Sequence, residues 1–358
     1  MEKHKLDTIR AILRMENTGA MLITDPYHLR FLSGFRGGEG MLYLSKDRQV
    51  LITDSRYTEA ARKESDFIVI EESAAHKRTA ILQECLAEDA VTSVGYEDED
   101  LRCSAFAKLK EALPSVTEWK PLGTQIQAMR QIKTEAELNF LEKAEAIGDA
   151  AFSDILQLLH AGMTEKEVAA ELEYSMKKHG AEGLSFSTIV ASGLHSSMPH
   201  AIPTDKPIEK GDFVTMDFGC VYEGYCSDMT RTVVVGKADE KQKEIYEIVR
   251  RAQQNCLDHL RAGISGQEAD GYAREVISDA GYGEYFGHGT GHSVGLVIHE
   301  EPRISPLDRT ILRENMIETV EPGIYIPGFG GVRIEDMVVI TADGYRNYAH
   351  SPKELIEL

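Results

Sequence analysis

A chain of 358 residues with 39 Lys and Arg against 59 Asp and Glu carries a formal charge of −20, and 42% of it is hydrophobic and 27% charged. That is globular composition for one or two domains, and at this length roughly three quarters of the unfolded surface is buried, so no disulfide or structural metal is needed to hold a core. The acidic balance repels nucleic-acid phosphate and anionic lipid, which excludes nucleic acid and membrane surfaces as expected partners.

From the start of the chain, Met1 to Arg14 alternates charged and apolar residues at helical spacing and lacks an apolar signal core, so a first amphipathic helix is expected over Lys3 to Glu16. Strands are expected at Ala20 to Thr24, Met41 to Ser45, Gln49 to Asp54 and Phe67 to Glu71, with helices at Ser55 to Lys63 and Lys77 to Leu86. This reads as an α/β domain. Lys120, Pro121 and Gly123 break the pattern, and Thr134 with Glu137 opens a long helix with a capping box, so the expected domains are 1–125 and 126–358. No apolar run reaches the length of about 18 residues that a membrane span needs. Cys85, Cys103, Cys220, Cys226 and Cys256 show no C-x-x-C spacing, which points to free thiols in a reducing compartment and a cytoplasmic protein.

The second domain repeats itself. Leu159 to Thr164, followed by Glu167 and Gly180, matches Leu260 to Ser265, followed by Glu268 and Gly281, and further on Gly211 to Gly219 aligns with Asn315 to Gly323, pairing Asp217 with Glu321. A duplicated helix-plus-sheet half predicts a pseudo-twofold α+β domain with a cleft between its halves.

Acids recur inside apolar, strand-like sequence. Around the turn Tyr222-Glu223-Gly224-Tyr225 a hairpin that pairs Tyr222 with Tyr225 sets Asp217 opposite Thr230, with Asp228 a diagonal neighbour on the same face. Solvated hairpin charges are the plain alternative, but Phe213, Val214, Met216, Phe218 and Val233 to Val235 surround the pair, and uncompensated anions are costly there. Glu321 and Glu335 form a second pair across the turn Pro327 to Gly331, and the repeat brings the two pairs together. Between them lies Gly287 to Glu300, with His288, His292 and His299 among glycines that disfavour a helix; one of these histidines is expected as a ligand. Four carboxylates and an imidazole suit two hard divalent ions, Mn first, Co or Fe possible, Zn less favoured. Such a pair holds a hydroxide and polarises a carbonyl, so the residues alone point to a dinuclear metallohydrolase.

At these residues the sequence resembles the pita-bread metallopeptidases, the group of methionine aminopeptidase, aminopeptidase P and prolidase. The resemblance rests on Met198-Pro-His200, Met216 to Gly219, Ser227 to Thr232, the His288 to Glu300 cluster, Thr319 to Tyr325 and Val332 to Asp336. Residues 1 to about 125 resemble the α/β N-terminal domain of the creatinase, prolidase and aminopeptidase P branch. The resemblance implies a creatinase-type N-terminal domain followed by a pita-bread catalytic domain. It implies Asp217, Asp228, His292, Glu321 and Glu335 as metal ligands, with Glu321 also moving the proton of the attacking water. His299 would assist at the tetrahedral intermediate, His200 would contact the scissile group or leaving proline, and His288 would face substrate. Tyr325 and Arg333 match positions near the site, with a structural role for each the open alternative. The branch implies cleavage of Xaa-Pro bonds in short proline-containing peptides, ranked as Xaa-Pro dipeptidase first and Xaa-Pro aminopeptidase second, by a homodimer. A creatinase-like non-peptidase or a binding protein is the remaining alternative.

Overall fold

The computed structural model describes residues 3–358, so Met1 and Glu2 of the amphipathic N-terminal segment lie outside the described residues. By its contacts the chain divides after Arg130.

In the first unit, α1 (Lys3–Met15) buries Lys5, Ile9, Ile12 and Leu13 at helical spacing. It is followed by β1 (Ala20–Ile23), α2 (Pro26–Ser33), β2 (Met41–Ser45), β3 (Gln49–Asp54), α3 (Thr58–Glu64) and β4 (Ile68–Glu72). The unit ends with α4 (Arg78–Glu88), β5 (Ser93–Tyr96), α5 (Cys103–Ala112), β6 (Glu118–Pro121) and α6 (Gly123–Arg130). The six strands form one mixed sheet in the order β4-β3-β2-β1-β5-β6, antiparallel through β3-β2-β1 and parallel elsewhere. The strands expected at Met41 to Ser45 and Gln49 to Asp54 are present with those bounds, and the other expected elements are present with ends shifted by up to three residues; α2, β5, α5, β6 and α6 are additions, and α2 is started by Asp25, whose side chain accepts the backbone N–H groups of Tyr27 and His28.

The second unit begins with α7 (Glu135–Ile155), capped by Thr134 and Glu137 as expected, and α8 (Glu165–Lys178). Strands β7 (Gly183–Leu184), β8 (Ile189–Ser192), β9 (Phe213–Phe218), β10 (Cys220–Tyr222), β11 (Tyr225–Cys226) and β12 (Met229–Val234) complete the first half. The second half comprises α9 (Glu240–His259), α10 (Gly266–Asp279), β13 (Gly291–Ser293), β14 (Glu300–Ile304), β15 (Ile317–Val320), β16 (Gly323–Ile326), β17 (Gly330–Arg333), β18 (Asp336–Ile340) and β19 (Tyr345–Asn347).

The repeat is visible hydrogen bond by hydrogen bond. Thr164 with Glu167 and Ser265 with Glu268 build equivalent capping boxes at the starts of α8 and α10. Gly162 N–H donates to Ile208 O and Gly263 N–H to Leu312 O, each at 2.9 Å. Helices α7 and α8 pack on Val214, Met216, Phe218 and Val233, while α9 and α10 pack on Met316, Val320, Val338 and Ile340. Alternation along β9 then sends Thr215 and Asp217 to the face away from the helices. This duplicated α+β arrangement is the pita-bread fold that the sequence led us to expect.

Two expected strands are interrupted. The hairpin register is as expected, with Tyr222 opposite Tyr225 and Asp217 opposite Thr230, and the turn residues Glu223 and Gly224 both have positive φ. Asp228, however, lies between β11 and β12 rather than within a strand. A Cβ on Gly219 would come within 1.9 Å of Ser227 O, so the two backbones close in here and the ladder breaks beside Asp228. Likewise the expected continuous run Val332 to Ile340 stops after Arg333 and resumes at Asp336, leaving Glu335 in the gap.

Candidate active site

A cavity of about 500 Å³ opens within the second unit, lined by Asp217, Asp228, His288, His292, His299, Glu321, Arg333 and Glu335 from both halves and by the segment 199–203 that carries His200. Asp228, His292 and Glu335 bring ligand atoms within 4.8 Å of one another, and all three are buried. His292 Nε2 lies 3.4 Å from Asp228 Oδ2 and 3.4 Å from Glu321 Oε1. Gly291 permits that approach, because a Cβ there would meet Thr319 O at 1.9 Å. Asp217 is held differently: its Oδ2 accepts Arg333 Nη2 at 2.6 Å, while its Oδ1 is buried without a partner.

The remaining positions divide by location. His299 packs edge-to-face on His292 with ring centres 4.5 Å apart. His288 sits in the loop before β13, so it does not share a strand face with His292 as the extended reading expected, yet both line the cavity. Tyr325 stands behind the cavity wall: its hydroxyl lies 2.9 Å from His288 Nε2 and receives Arg333 Nη1 at 2.9 Å. Arg333 Nε donates to Thr230 Oγ1 at 3.0 Å, and Thr230 Oγ1 donates to Glu335 Oε2 at 2.6 Å. Arg333 and Tyr325 thus form a chain joining His288, Asp217 and Glu335.

Several supporting residues escaped the sequence analysis. Glu145 on α7 is fully buried and accepts the Asp228 N–H at 3.3 Å. Arg231, also buried, donates from Nη1 to the carbonyls of Thr230 and Glu335 and from Nη2 to Asp336 Oδ1 at 2.8 Å, tying β12 to the residues around Glu335. A charged residue in a buried strand was the available signal for Arg231. Glu165 gathers Ser192, His195 and Thr204, which bracket the His200 segment.

Comparison with known proteins now adds to the geometry. A family model described as Metallopeptidase family M24 matches residues 139–342, and one described as Creatinase/Prolidase N-terminal domain matches residues 5–132. The chain belongs to metallopeptidase family M24. An Xaa-Pro dipeptidase from Pyrococcus horikoshii is 40% identical over 98% of this chain and 98% of its own length. A solved Xaa-Pro dipeptidase from Bacillus anthracis superposes with a TM-score of 0.96 at 42% identity, covering 99% of each chain. An X-Pro aminopeptidase from Thermotoga maritima gives a TM-score of 0.92 at 38% identity, covering 96% of this chain and 99% of its own. Among the described residues no helix is long and apolar enough to cross a membrane.

Metallopeptidase family M24 implies divalent metal ions, and the donor set fits them. Burial, followed by repulsion from Glu335, Asp217 and Glu321, drives the Asp228 carboxyl well above its usual range. Burial does the same to Glu335, and its Oε1 is buried without a partner. His292 is pushed down to about 3, first by burial and then by His299, so it is neutral at pH 7. Its Nδ1 lies 3.1 Å from Ser293 O and must carry the proton there, which leaves Nε2 a lone pair aimed at two carboxylate oxygens. Acceptors facing acceptors in a buried site call for cations between them.

Proposed function

We propose that this metallopeptidase hydrolyses Xaa-Pro peptide bonds, acting chiefly as an Xaa-Pro dipeptidase on short proline-containing peptides. The observation that carries the metal chemistry is the neutral His292 Nε2 facing Asp228 and Glu321 at 3.4 Å inside a buried acidic cavity. The bond specificity is supported by similarity over nearly the whole chain to proteins named for Xaa-Pro cleavage.

Asp217, Asp228, His292, Glu321 and Glu335 would hold two divalent ions, Mn ahead of Co or Fe and Zn last, since oxygen ligands predominate. Bound there, the ions would supply Lewis acidity at the scissile carbonyl and lower the pKa of water. Burial raises the Glu321 carboxyl to about 7 in the metal-free cavity, a shift that bound cations would relieve; beside them Glu321 would take the proton of the attacking water and return it. Thr319 Oγ1 orients that carboxylate from 3.1 Å. Proline's nitrogen leaves a tertiary amide and must gain a proton, so a positioned donor is required; His200 is assigned to it. His299 would donate to the developing oxyanion, while His288, fixed by Gly289 O and Tyr325, would hold substrate. Arg333 would fix Asp217 and the substrate side of the cavity.

Residues 1–125 would serve as the creatinase-type N-terminal domain and 126–358 as the catalytic domain, in a homodimer in the cytoplasm. The free cysteines accord with a reducing compartment. The second reading, Xaa-Pro aminopeptidase, is favoured by the similarity to the Thermotoga maritima protein. Products from Ala-Pro, Ala-Pro-Ala and Ala-Ala-Ala separate the two. Proline from Ala-Pro alone is expected; alanine and intact Pro-Ala from the tripeptide would favour the aminopeptidase, and metal-dependent cleavage of Ala-Ala-Ala at an equal rate would overturn Xaa-Pro specificity.

A further inference from the structure

Helix α10 departs from the internal repeat at two charged positions. With Ser265 equivalent to Thr164, the buried Ala269 and Ala273 answer to the buried Val168 and Leu172, but Asp270 and Arg274 fall opposite Ala169 and Glu173. Asp270 is 1% exposed, and an acid is tolerated in such a place only where bonds satisfy it. Its Oδ1 accepts the N–H of Thr290 at 3.0 Å and the Thr290 hydroxyl at 2.8 Å. The same carboxylate takes Arg274 Nε at 2.6 Å and Nη2 at 2.9 Å, a two-bonded pair one helical turn apart.

Arg274 carries this anchorage to His288. Its Nη1 donates to Phe286 O at 3.0 Å and its Nη2 to His288 O at 2.7 Å. Its guanidinium also lies over the Phe286 ring, 4.2 Å from the centre, and that ring meets the His288 imidazole edge to face with centres 5.1 Å apart. Gly287 and Gly289 give the segment no side chains to hold it, so its backbone depends on bonds from outside. Holding the His288 carbonyl fixes the peptide that leads to Gly289, whose oxygen lies 2.7 Å from His288 Nδ1. At the far end Thr290 is tied twice, by Asp270 and by the Glu321 N–H, which donates to Thr290 O at 2.7 Å. No residue of α10 lines the cavity. We propose that Asp270 and Arg274 are positioning residues, which set the His288 imidazole for substrate from outside the cavity.

This inference rests on the assignment of His288 to substrate in the proposed function, and the test separates it from the Xaa-Pro reading. A double-mutant cycle joins Arg274→Gln with His288→Ala in the Mn-loaded protein, on whichever of Ala-Pro, Ala-Pro-Ala and Ala-Ala-Ala the wild type hydrolyses. Arg274→Gln should raise KM about tenfold, as expected for a lost charge-assisted hydrogen bond, with a smaller loss in kcat. In the His288→Ala background the same substitution should change KM by less than about twofold. Asp270→Asn keeps an acceptor for Thr290 but loses the ion pair, so it should reproduce the KM rise of Arg274→Gln. An equal rise in both backgrounds, or no rise in either, would overturn the assignment, because a brace that only stabilises the fold acts whether or not the imidazole is there. Failure to cleave Ala-Pro while another peptide is hydrolysed would bring down the Xaa-Pro reading and leave this cycle to be read on that peptide. If Arg274→Gln does not fold, Arg274→Lys takes its place in the cycle: it keeps a charge beside Asp270 but cannot span both carbonyls, so a smaller KM rise that vanishes with His288→Ala is expected, and a rise that persists contradicts the proposal.

Discussion

Arg333 Nη2 and Asp217 Oδ2 lie 2.6 Å apart, both buried, and they join β17 of one half to β9 of the other. The pair leaves Asp217 Oδ1 the one oxygen of that carboxylate without a partner, which is what a ligand awaiting a cation needs. Removing one member of a buried ion pair strands the other. Arg333→Gln is therefore expected to destabilise the metal-free protein by about 3–5 kcal/mol in urea unfolding, and to reduce kcat/KM in the metal-loaded protein. Arg333→Lys keeps the charge but cannot reach Asp217, Tyr325 and Thr230 together, so it should recover stability more than activity. Equal stability of wild type and Arg333→Gln would mean that the pair contributes nothing.

Metal removal should be read out in the melt. Asp228 and Glu335 are both pushed well above the usual carboxylate range, by burial first and by their acidic neighbours next. A cation bound by the folded chain alone relieves this cost. At a free concentration of 100 times Kd, the chelated protein should gain about 2.7 kcal/mol for each Mn site filled, seen as a rise in Tm. Asp228→Asn should lose most of that increment. A Tm insensitive to Mn would count against the site.

Acid sensitivity is expected away from the metal ligands. Burial alone would raise the Glu165 carboxyl, but hydrogen bonds from Thr204, His195 and Ser192 outweigh it and hold the group below its ordinary value. Its folded pKa lies under the unfolded one, so its stabilisation is full above the unfolded pKa of about 4.3 and is lost as pH falls through the folded value. Glu165→Gln should cost about 1–3 kcal/mol at pH 7, and the gap to wild type should narrow as pH falls below 4 on urea unfolding of metal-free protein. A gap constant with pH would show that the charge is immaterial. Because Ser192 and Thr204 bracket the His200 segment, the variant should also raise KM while still taking up metal.

Much of this was legible in the sequence because the relevant interactions are local or repeated. The capping boxes at Thr134, Thr164 and Ser265 are short-range patterns, and the Asp217–Thr230 register follows from a turn whose residues announce themselves. The repeat then carried the inference across to Glu321. What stayed hidden depends on contacts far apart in the chain. Gly219 against Ser227 pulls Asp228 out of its strand, and no periodicity records that approach. Glu145 and Arg231 reach the site only because α7 and the neighbourhood of Asp336 pack beside β12, and Arg231 bonds a residue 105 positions away. Glu318 is the residue that the pattern would have misassigned: it lies on β15 between Met316 and Val320, fully buried with both carboxyl oxygens unpartnered, and burial raises its pKa well above the usual range.

The most direct measurement is a titration of chelator-stripped protein with Mn, following both bound metal and proline release from Ala-Pro. The account predicts negligible release without metal and full activity reached at two ions per chain. Asp228→Asn and Glu335→Gln should each fail to reach it. Full Ala-Pro hydrolysis by the stripped protein, or wild-type activity in both variants, would contradict a catalytic site built on these carboxylates and His292.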